Sequence, residues 1–534
     1  MRFKINQILE FLKYRIMNEL LIILLILNFV HGFGTWKLYI ISGNKGWHSF
    51  IPIYNIFILL KIINRPWWWI FILILPVLNT ILIPVIWVEI SRSFKKNTYT
   101  DTFLSIFSFG FYNYYLNYFT KAEYVKHRDV NPKSSNGEWV SSIIFAVIAA
   151  TFVHTYFMQP YTIPTSSLEK SLLVGDFLFV SKFHYGAIVP MTTIAAPMVH
   201  DTIPIINKKS YLNKEQLPII SELPYFRLPG LQKIKRNEIV CFSWPVDTFK
   251  NMYYTDKGYY KPIDKKTNYV KRAVGVAGDT LEVINGYVYI NGEKNVLPER
   301  AKLQFSYLVQ PKKNKFNKKV MINNYDITDR FGPINNDYTY KFMGISETSL
   351  EKLKNDTNVE WVKKDTLPKG IKDPSVFPQS SSYKWNNDFF GPIYIPKKDA
   401  TIEITKENLP IYKRLIKVYE NNDLYSLDDK IYINGIETNK YTFKQDYYWL
   451  MGDNRSNSQV SGSWGFVPFD HVVGKPVFKW LSIDYNAKGI DKIRWNRMFT
   501  TVHGEGKPTS YFLHFIAVIV LWNVISYFRR KKLQ

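Results

Sequence analysis

Long apolar stretches lie near both ends of the chain, and the region between them has a different, alternating pattern. A bilayer-crossing helix needs roughly 20 predominantly apolar residues, and four stretches meet this length. They predict transmembrane helices at about 19–41, 67–89, 138–158 and 511–528. The apolar segment 50–63 is short and fits a re-entrant or interfacial segment as well as a crossing. Residues 103–119 mix aromatic residues with asparagines, which favours an interfacial helix.

Basic residues next to these stretches predict their orientation. Arg2, Lys4, Lys13 and Arg15 precede the first stretch, and the run 529–532 follows the last one. Because Lys and Arg accumulate on the cytoplasmic side of membrane proteins, both chain ends are predicted to be cytoplasmic. Four crossings then put residues 160–508 outside. A fifth crossing at 50–63 would break this parity unless 103–119 also crosses.

The central region, residues 181–440, is predicted to consist mostly of strands and loops. Asn285-Gly286 and Asn291-Gly292 separate alternating segments, as expected for tight hairpin turns. A similar phrase, Ile431 to Gly435, recurs further along the chain. Residues 299–385 are rich in Lys, Asn, Asp and Ser, which indicates an insertion.

These patterns predict a mainly β domain with transmembrane α-helices at both ends. The predicted segments are a membrane region with about two transmembrane helices and interfacial segments at 1–136, a transmembrane helix at 137–158, the first part of a core domain at 159–298, an insertion or cap region at 299–430, the second part of the core at 431–485, a linker at 486–510, a transmembrane helix at 511–528 and a basic cytoplasmic tail at 529–534.

Composition agrees with a membrane protein that carries a large folded domain. The chain has 534 residues, 46% of them hydrophobic and 17% aromatic, which suffices for a core and for lipid-facing helices. The formal net charge is +25, but the basic residues are spread and partly flank apolar stretches. Anionic lipid headgroups are therefore the expected partner, and no nucleic-acid-binding module is recognisable. The single cysteine, Cys241, excludes an internal disulfide and is expected to pack as a small apolar side chain in a strand.

Three consecutive hydroxyl residues, Thr165, Ser166 and Ser167, follow the third apolar stretch. Pro164 fixes its own φ and favours an extended Ile163, so the hydroxyls are expected to lie in a β-like segment with rigid neighbours. Such residues often only bond their own backbone in a turn. A catalytic role requires a base, because a serine hydroxyl is a poor nucleophile until its proton is taken. The chain has no Gly-x-Ser-x-Gly motif, and a lysine is a known alternative partner.

Lys271 is the candidate base. Residues 269–279 alternate between apolar and polar and then enter a Gly-rich turn, which predicts a strand and a hairpin. Lys271 and Arg272 would point to opposite faces of this strand, so one of the two cations is expected to point inward. A lysine accepts a proton only when it is neutral, which requires burial to lower its pKa from about 10.4; an arginine cannot serve. A lysine on a solvated face is the alternative interpretation.

Three blocks in this order resemble bacterial type I signal peptidases, the membrane-bound Ser/Lys endopeptidases that remove signal peptides from exported proteins. The blocks are Ile163 to Val180, Tyr269 to Asp279, and Met451 to Ser458 with its continuation to Pro468. Asn237 to Pro245 is a weaker fourth block, similar to the strand that precedes the lysine block. The resemblance extends over residues 138–485.

The resemblance implies a role for each candidate residue. Ser167 would be the nucleophile and Lys271 the general base, with Ser458 orienting the lysine amine. The Ser167 backbone N–H and the Thr165 hydroxyl would hold the oxyanion. The supporting loop would consist of Gly452, Asp453, Asn454 and Arg455.

The resemblance also implies an activity and a location. The protein would be a serine endopeptidase, signal peptidase I, that cleaves N-terminal signal peptides from exported preproteins after small residues. Its partners would be these signal peptides and the lipid bilayer. No metal or organic cofactor is implied, and no His or Cys spacing typical of a metal site is present. The location would be the bacterial cytoplasmic (inner) membrane, in a multi-pass arrangement with the catalytic domain on the extracytoplasmic, periplasmic side.

The sequence departs from the family pattern at several positions. Leu168 replaces a methionine of similar volume. Val460 and Gly462 stand where the family commonly has Asp and Arg, so a supporting ion pair of this loop is expected to be missing. This departure suggests an alternative function, a catalytically impaired membrane-anchored scaffold of the same fold. The retention of both Ser167 and Lys271 in matching context favours the peptidase.

Overall fold

The computed structural model describes residues 2–131, 134–217, 221–249, 258–313, 315–334, 338–459 and 461–533. The chain forms two compact units. The first comprises Met1–Phe157, Ile188–Leu228 and Lys250–Lys265, and the second comprises Met158–Ala187, Pro229–Phe249 and Lys266–Gln534.

The helices concentrate in the N-terminal third of the chain. The α-helices are α1 (Arg2–Ile41), α2 (Tyr54–Ile62), α3 (Trp69–Ile74), α4 (Leu78–Ser93), α5 (Tyr99–Phe107), α6 (Tyr112–Phe119), α7 (Ser135–Phe152), α8 (Lys318–Tyr325), α9 (Glu347–Lys354), α10 (Leu409–Arg414), α11 (Ser461–Trp464) and α12 (Phe512–Leu533).

The strands begin directly after α7 and its short π-helical extension, Val153–Phe157. They are β1 (Met158–Thr162), β2 (Asp176–Ser181), β3 (Ile239–Ser243), β4 (Asn268–Gly275), β5 (Thr280–Ile284), β6 (Tyr287–Ile290), β7 (Glu293–Lys294), β8 (Gln304–Pro311), β9 (Phe331–Pro333), β10 (Tyr340–Ser346), β11 (Val359–Lys364), β12 (Phe389–Tyr394), β13 (Thr401–Glu403), β14 (Leu424–Leu427), β15 (Lys430–Ile433), β16 (Ile436–Glu437), β17 (Lys440–Thr442), β18 (Tyr447–Met451), β19 (Val467–Pro468), β20 (Val472–Ser482) and β21 (Thr500–Thr501).

The first unit packs its helices around an apolar cluster. Its fully buried members include Leu60, Ile63, Leu82 and Phe94. Glu89 is buried beside them and accepts hydrogen bonds from Arg65 and Arg128, so its charge is paired inside the unit.

Three helices of the described residues are long and apolar enough to cross a membrane, at Leu21–Ile41, Ser135–Phe157 and Phe512–Lys531. They correspond to three of the four predicted crossings. The prediction of a single helix at 67–89 is wrong, because the chain there forms the six-residue α3 and the sixteen-residue α4. Pro76 causes the break: it holds the preceding residue in an extended conformation, and Val77 then turns at φ 67°.

The two shorter apolar segments are helical. Segment 50–63 contains the nine-residue α2. The predicted interfacial helix at 103–119 is divided into α5 and α6, with Gly110 between them at a φ of 84°. A side chain at Gly110 would be strained in this left-handed conformation.

An eight-stranded antiparallel sheet is the centre of the second unit. The strand order is β1-β2-β20-β3-β4-β18-β19, and β21 pairs with β20. Each neighbouring pair is antiparallel. Cys241 on β3 is fully buried, as predicted, with Val240 and Phe242 on either side. The candidate catalytic residues lie in three segments of this unit: the turn between β1 and β2, strand β4, and the loop after β18.

The predicted Asn-Gly hairpins are confirmed. Asn285-Gly286 joins β5 to β6, and Asn291-Gly292 joins β6 to β7. The recurring phrase ends in Asn434-Gly435, which joins β15 to β16. All six residues have positive φ, between 52° and 88°, which is the conformation that a tight two-residue turn requires.

The predicted insertion at 299–430 has two structural parts. Residues 304–364 form a separate four-stranded sheet, β11-β8-β10-β9, with its own apolar core around Val309 and Phe342. The chain then joins a larger core: Phe390 and Ile416 are buried in one cluster with Trp449 of β18. The first part alone is therefore an independently packed subdomain, which we call the insertion sheet.

Candidate active site

The turn with the three hydroxyls joins β1 to β2. Thr165 is extended, at φ −129° and ψ 154°, as predicted, and is exposed. The prediction that the extended backbone continues through Ser167 is wrong, because Ser166–Leu168 form a 3₁₀ turn. An extended segment would place Thr165 and Ser167 on one face and Ser166 on the other, but side chains in a 3₁₀ turn are spaced at three residues per turn, so this alternation does not apply. Ser166 is instead distinguished by its contact, since its Oγ accepts a hydrogen bond of 3.0 Å from Asn457 Nδ2.

Burial of Leu168 anchors this turn. Its side chain is 1% exposed and packs with Ile163, Leu172 and Leu178. Val270, the residue before Lys271, packs against the same cluster. Leu168 thus fills its position as a buried apolar residue, and it links the hydroxyl turn to strand β4.

Lys271 is a buried lysine in the middle of β4. It is 5% exposed, and its Nζ donates a hydrogen bond of 2.9 Å to Ser458 Oγ. The Ser458 hydroxyl donates in turn to the Gln459 carbonyl, 3.2 Å away. Burial lowers the pKa of Lys271 to about 7, although the charge of Asp453 acts in the opposite direction. With a pKa of about 7, roughly half of the Lys271 amine is unprotonated near neutral pH and can accept a proton.

Gly452 lies between the hydroxyl turn and Ser458. A β-carbon on Gly452 would lie 2.4 Å from the Ser167 carbonyl oxygen and 2.3 Å from Ser458 Oγ. The Ser167 carbonyl oxygen and Ser458 Oγ are therefore close to each other, since their separation cannot exceed the sum of these two distances. The turn that carries Ser167 and the hydroxyl that Lys271 bonds therefore meet at Gly452, where a β-carbon would collide with both.

Arg272 is buried as well. The sequence predicted that one of Lys271 and Arg272 points inward, and the structure buries both. Arg272 is 3% exposed and Asp453 is fully buried. The guanidinium contacts the carboxylate through two bonds, Nε to Oδ1 at 2.7 Å and Nη2 to Oδ2 at 2.6 Å. Ser171 Oγ donates a third bond, of 2.5 Å, to Asp453 Oδ2. Burial alone would raise the pKa of Asp453, but Arg272 and Ser171 hold it below its usual value.

Asn454 and Arg455 complete the predicted supporting loop. The Asn454 backbone N–H donates to the Ser167 carbonyl at 3.2 Å, and its side-chain amide donates to the Ser166 carbonyl, also at 3.2 Å. The Arg455 backbone N–H donates to the Gln304 carbonyl at 2.9 Å. The loop therefore contacts the hydroxyl turn on one side and the insertion sheet on the other.

Sequence reasoning missed Asn457 and Asp329. The Asn457 amide donates to Ser166 Oγ and, at 3.1 Å, to Asp329 Oδ1. Asp329 lies 128 residues away from Asn457, in the loop before β9, and no local pattern marks it. Of the two departures in the family's third block, Val460 lies outside the described residues. Gly462 is buried, and its carbonyl accepts a bond of 2.6 Å from the Phe377 N–H.

A mainly β domain between apolar helices, with a buried lysine bonded to a serine hydroxyl, is the arrangement of a membrane-associated peptidase. The sequence pattern of the signal peptidase family, peptidase S26, matches residues 136–370 and 395–481. The chain belongs to this family, and the predicted resemblance to type I signal peptidases is confirmed. Residues 47–127 match a second family, of unknown function.

Several relatives carry the name Signal peptidase I. The protein of Haemophilus influenzae is 24% identical over 375 residues, which is 70% of this chain and 78% of the relative. That of Buchnera aphidicola from Acyrthosiphon pisum is 22% identical over 366 residues, 67% of this chain and 81% of the relative. That of Rickettsia felis is 23% identical over 351 residues, 66% of this chain and 81% of the relative.

Proposed function

We propose that the protein is a signal peptidase I, a membrane-bound serine endopeptidase that cleaves signal peptides from exported preproteins through a Ser167/Lys271 dyad. The observation that carries this proposal is the buried Lys271, whose pKa is lowered to about 7. The alternative interpretation, a lysine on a solvated face, requires an exposed side chain, and Lys271 is buried. Gly452 supports the pairing, because its neighbours are the Ser167 carbonyl and the Ser458 hydroxyl that Lys271 bonds.

The proposed reaction has two steps. Ser167 Oγ attacks the scissile carbonyl carbon while Lys271 Nζ takes the hydroxyl proton, and the lysine then returns that proton to the leaving amine as the peptide bond breaks. A water molecule next attacks the acyl carbon while Lys271 Nζ takes its proton; the lysine then returns that proton to Ser167 Oγ as the ester bond breaks, which releases the acid product and restores the enzyme. The Ser167 backbone N–H and the Thr165 hydroxyl would hold the oxyanion, and a donor of this kind contributes about 3–4 kcal/mol in comparable sites. Ser458 would keep the lysine amine oriented.

The proposed substrates are the signal peptides of preproteins, cut after small residues, and the membrane would hold both enzyme and substrate. We further propose that the catalytic domain is extracytoplasmic. With three crossing helices, this domain is outside and the C-terminal tail inside only when the N-terminus is also outside. Residues 42–134 would then be cytoplasmic, and their ten Lys and Arg residues favour that side. This arrangement differs from the sequence-based one, which placed the N-terminus with Arg2, Lys4, Lys13 and Arg15 inside and needed a fourth crossing at 67–89.

A processing assay tests the proposed function. Purified wild-type protein in detergent is incubated with a preprotein, and the new N-terminus is sequenced. We expect cleavage after a small residue, and no cleavage by the Ser167→Ala and Lys271→Ala proteins. If the wild-type protein folds but does not cleave the preprotein or react with an acylating inhibitor, the scaffold function replaces the peptidase.

A further inference from the structure

The insertion sheet contacts both segments of the proposed active site through one carboxylate. Asp329 is 8% exposed and lies in the loop that leads into β9. Its Oδ2 accepts a hydrogen bond from Asn454 Nδ2, and its Oδ1 accepts one of 3.1 Å from Asn457 Nδ2. Both amides also contact the hydroxyl turn: Asn454 Nδ2 donates to the Ser166 carbonyl and Asn457 Nδ2 to Ser166 Oγ.

Strand β10 approaches the Asp329 carboxylate closely at Gly344. A β-carbon on Gly344 of β10 would lie 2.1 Å from Asp329 Oδ2. A side chain at Gly344 would therefore displace the carboxylate from the two amides. The close approach of strand β10 is a second observation, independent of the hydrogen bonds, that the insertion sheet is shaped around this contact.

Neighbouring residues of the same loop hold the hydroxyl turn at other points. Thr328 Oγ1 donates to the buried Glu169 at 3.2 Å, and Lys170 Nζ lies 2.7 Å from Asp326 Oδ1. Lys170 has a φ of 69°, in the left-handed region that residues other than glycine rarely adopt. The turn is therefore fixed from the insertion sheet as well as from the core below Leu168.

We infer that Asp329 is a positioning residue for the peptidase reaction: through Asn454 and Asn457 it fixes the 3₁₀ turn that presents Ser167. The kinetic part of this inference rests on the proposed function, whereas the fixing of the turn does not. A charged acceptor bonded to two amides orders them more strongly than a neutral one, since hydrogen bonds to ionised groups are stronger. A small displacement of a reacting group lowers the rate steeply, while the substrate contacts elsewhere are unchanged.

The test compares two isosteric substitutions in the full-length protein in detergent. Asp329→Asn replaces one acceptor oxygen by a donor that opposes the amides. The control is Asp356→Asn, in the same insertion sheet, whose carboxylate accepts from Tyr325 Oη at 2.6 Å and from the Asn358 N–H at 2.9 Å. Hydrogen exchange of peptides covering 163–176 measures the order of the turn without any assumption about catalysis.

We expect faster exchange of the 163–176 peptides in Asp329→Asn and wild-type exchange in Asp356→Asn. On a preprotein, Asp329→Asn should lower kcat by about tenfold to a hundredfold per active site, counted with an acylating inhibitor, with KM nearly unchanged. Asn457→Ala should lower kcat much less when it is made in the Asp329→Asn protein than when it is made in the wild type, since both substitutions act through the same contact.

Two results would overturn the inference. Exchange of the turn that is the same in Asp329→Asn and Asp356→Asn would mean that Asp329 does not fix it. A fall in the fraction of titratable sites with unchanged kcat per site would mean that Asp329 only stabilises the fold. Failure of the proposed function is recognised separately, by a wild-type protein that is not acylated, and the exchange comparison still decides the role of Asp329.

Discussion

Arg272 and Asp453 are 181 residues apart in the sequence and form a two-bond ion pair that is almost completely removed from water. The pair joins β4 to the loop after β18, next to the point where Arg272 and Met451 face each other in the two strands. Ser171 extends the same contact to the hydroxyl turn. One carboxylate therefore connects all three segments of the proposed site.

Removal of the Asp453 charge should destabilise the protein strongly. Asp453→Asn leaves a buried guanidinium without its counter-charge, which typically costs about 3–5 kcal/mol. Thermal unfolding in detergent measures the effect as a lower Tm. Asp429→Asn is the matched control, because Asp429 forms an exposed pair with Lys406, and such pairs contribute little. Equal Tm values for the two variants would contradict the importance of the buried pair.

Substitution of Lys271 should abolish cleavage while leaving the protein folded. Lys271→Arg stays charged at every accessible pH and cannot take a proton, so we expect it to be as inactive as Lys271→Ala. In the wild type the pKa of Lys271 is lowered to about 7. The amine is protonated below that value, so kcat/KM should rise with pH up to about 7 and level off above it. An active Lys271→Arg protein would remove the lysine as the base.

A methyl group at position 452 should separate the proposed nucleophile turn from the lysine. Gly452→Ala brings a β-carbon into collision with the Ser167 carbonyl and the Ser458 hydroxyl, so the turn or the loop must move. We expect kcat to fall at least about a hundredfold, as a displacement near 1 Å would cause. Gly332→Ala is the control, since a β-carbon there has nothing within 4 Å. Processing rates of the two variants provide the comparison.

Local sequence signals predicted several parts of this structure well. The Asn-Gly pairs marked three hairpins because a tight turn needs positive φ at both central residues, and this requirement is met within two residues. The alternating strand predicted that one of Lys271 and Arg272 points inward, and the structure buries both. The apolar length of 67–89 predicted one helix, whereas Pro76 ends α3 by holding Leu75 extended.

Other parts depend on contacts that no local pattern records. Arg272 could be buried only because Asp453 lies opposite it, and Asp329 is recognisable only once the insertion sheet has folded against the loop. The 3₁₀ turn at Ser166–Leu168 is fixed by burial of Leu168 and by bonds from Asn454 and Asn457. Such long-range partners determine the geometry of the site more than the propensities of the residues in it.

The proposed topology, built on the three helices long and apolar enough to cross a membrane, can be tested by labelling. Single cysteines introduced at positions 44, 505 and 531 are treated with a membrane-impermeant thiol reagent, in a chain whose own Cys241 is fully buried. We expect labelling from outside at 505 alone, because 42–134 and the tail are proposed to be cytoplasmic. Labelling of position 44 together with 505 would mean that the segment with α3 and α4 crosses after all.

The last prediction concerns which serine reacts. Ser166 Oγ is already bonded by Asn457, so it is held away from the role of nucleophile, whereas the Ser167 backbone borders Gly452 and Ser458. We expect Ser167→Ala to remove all turnover. Ser166→Ala should lower kcat by less than about tenfold, because it removes only a single neutral hydrogen bond. Thr165→Val should cost on the order of a hundredfold in kcat if its hydroxyl holds the oxyanion.

Mass spectrometry of the acyl-enzyme identifies the reacting serine directly. The protein is treated with a β-lactam-type or peptide-based acylating inhibitor, and the modified peptide is fragmented. The adduct should lie on Ser167 in the wild type and in Ser166→Ala, and it should be absent in Ser167→Ala and Lys271→Ala. Because Ser166 and Ser167 are neighbours in one 3₁₀ turn, an adduct on Ser166 would mean that the turn rotates on substrate binding and that the bond from Asn457 is released in the reaction.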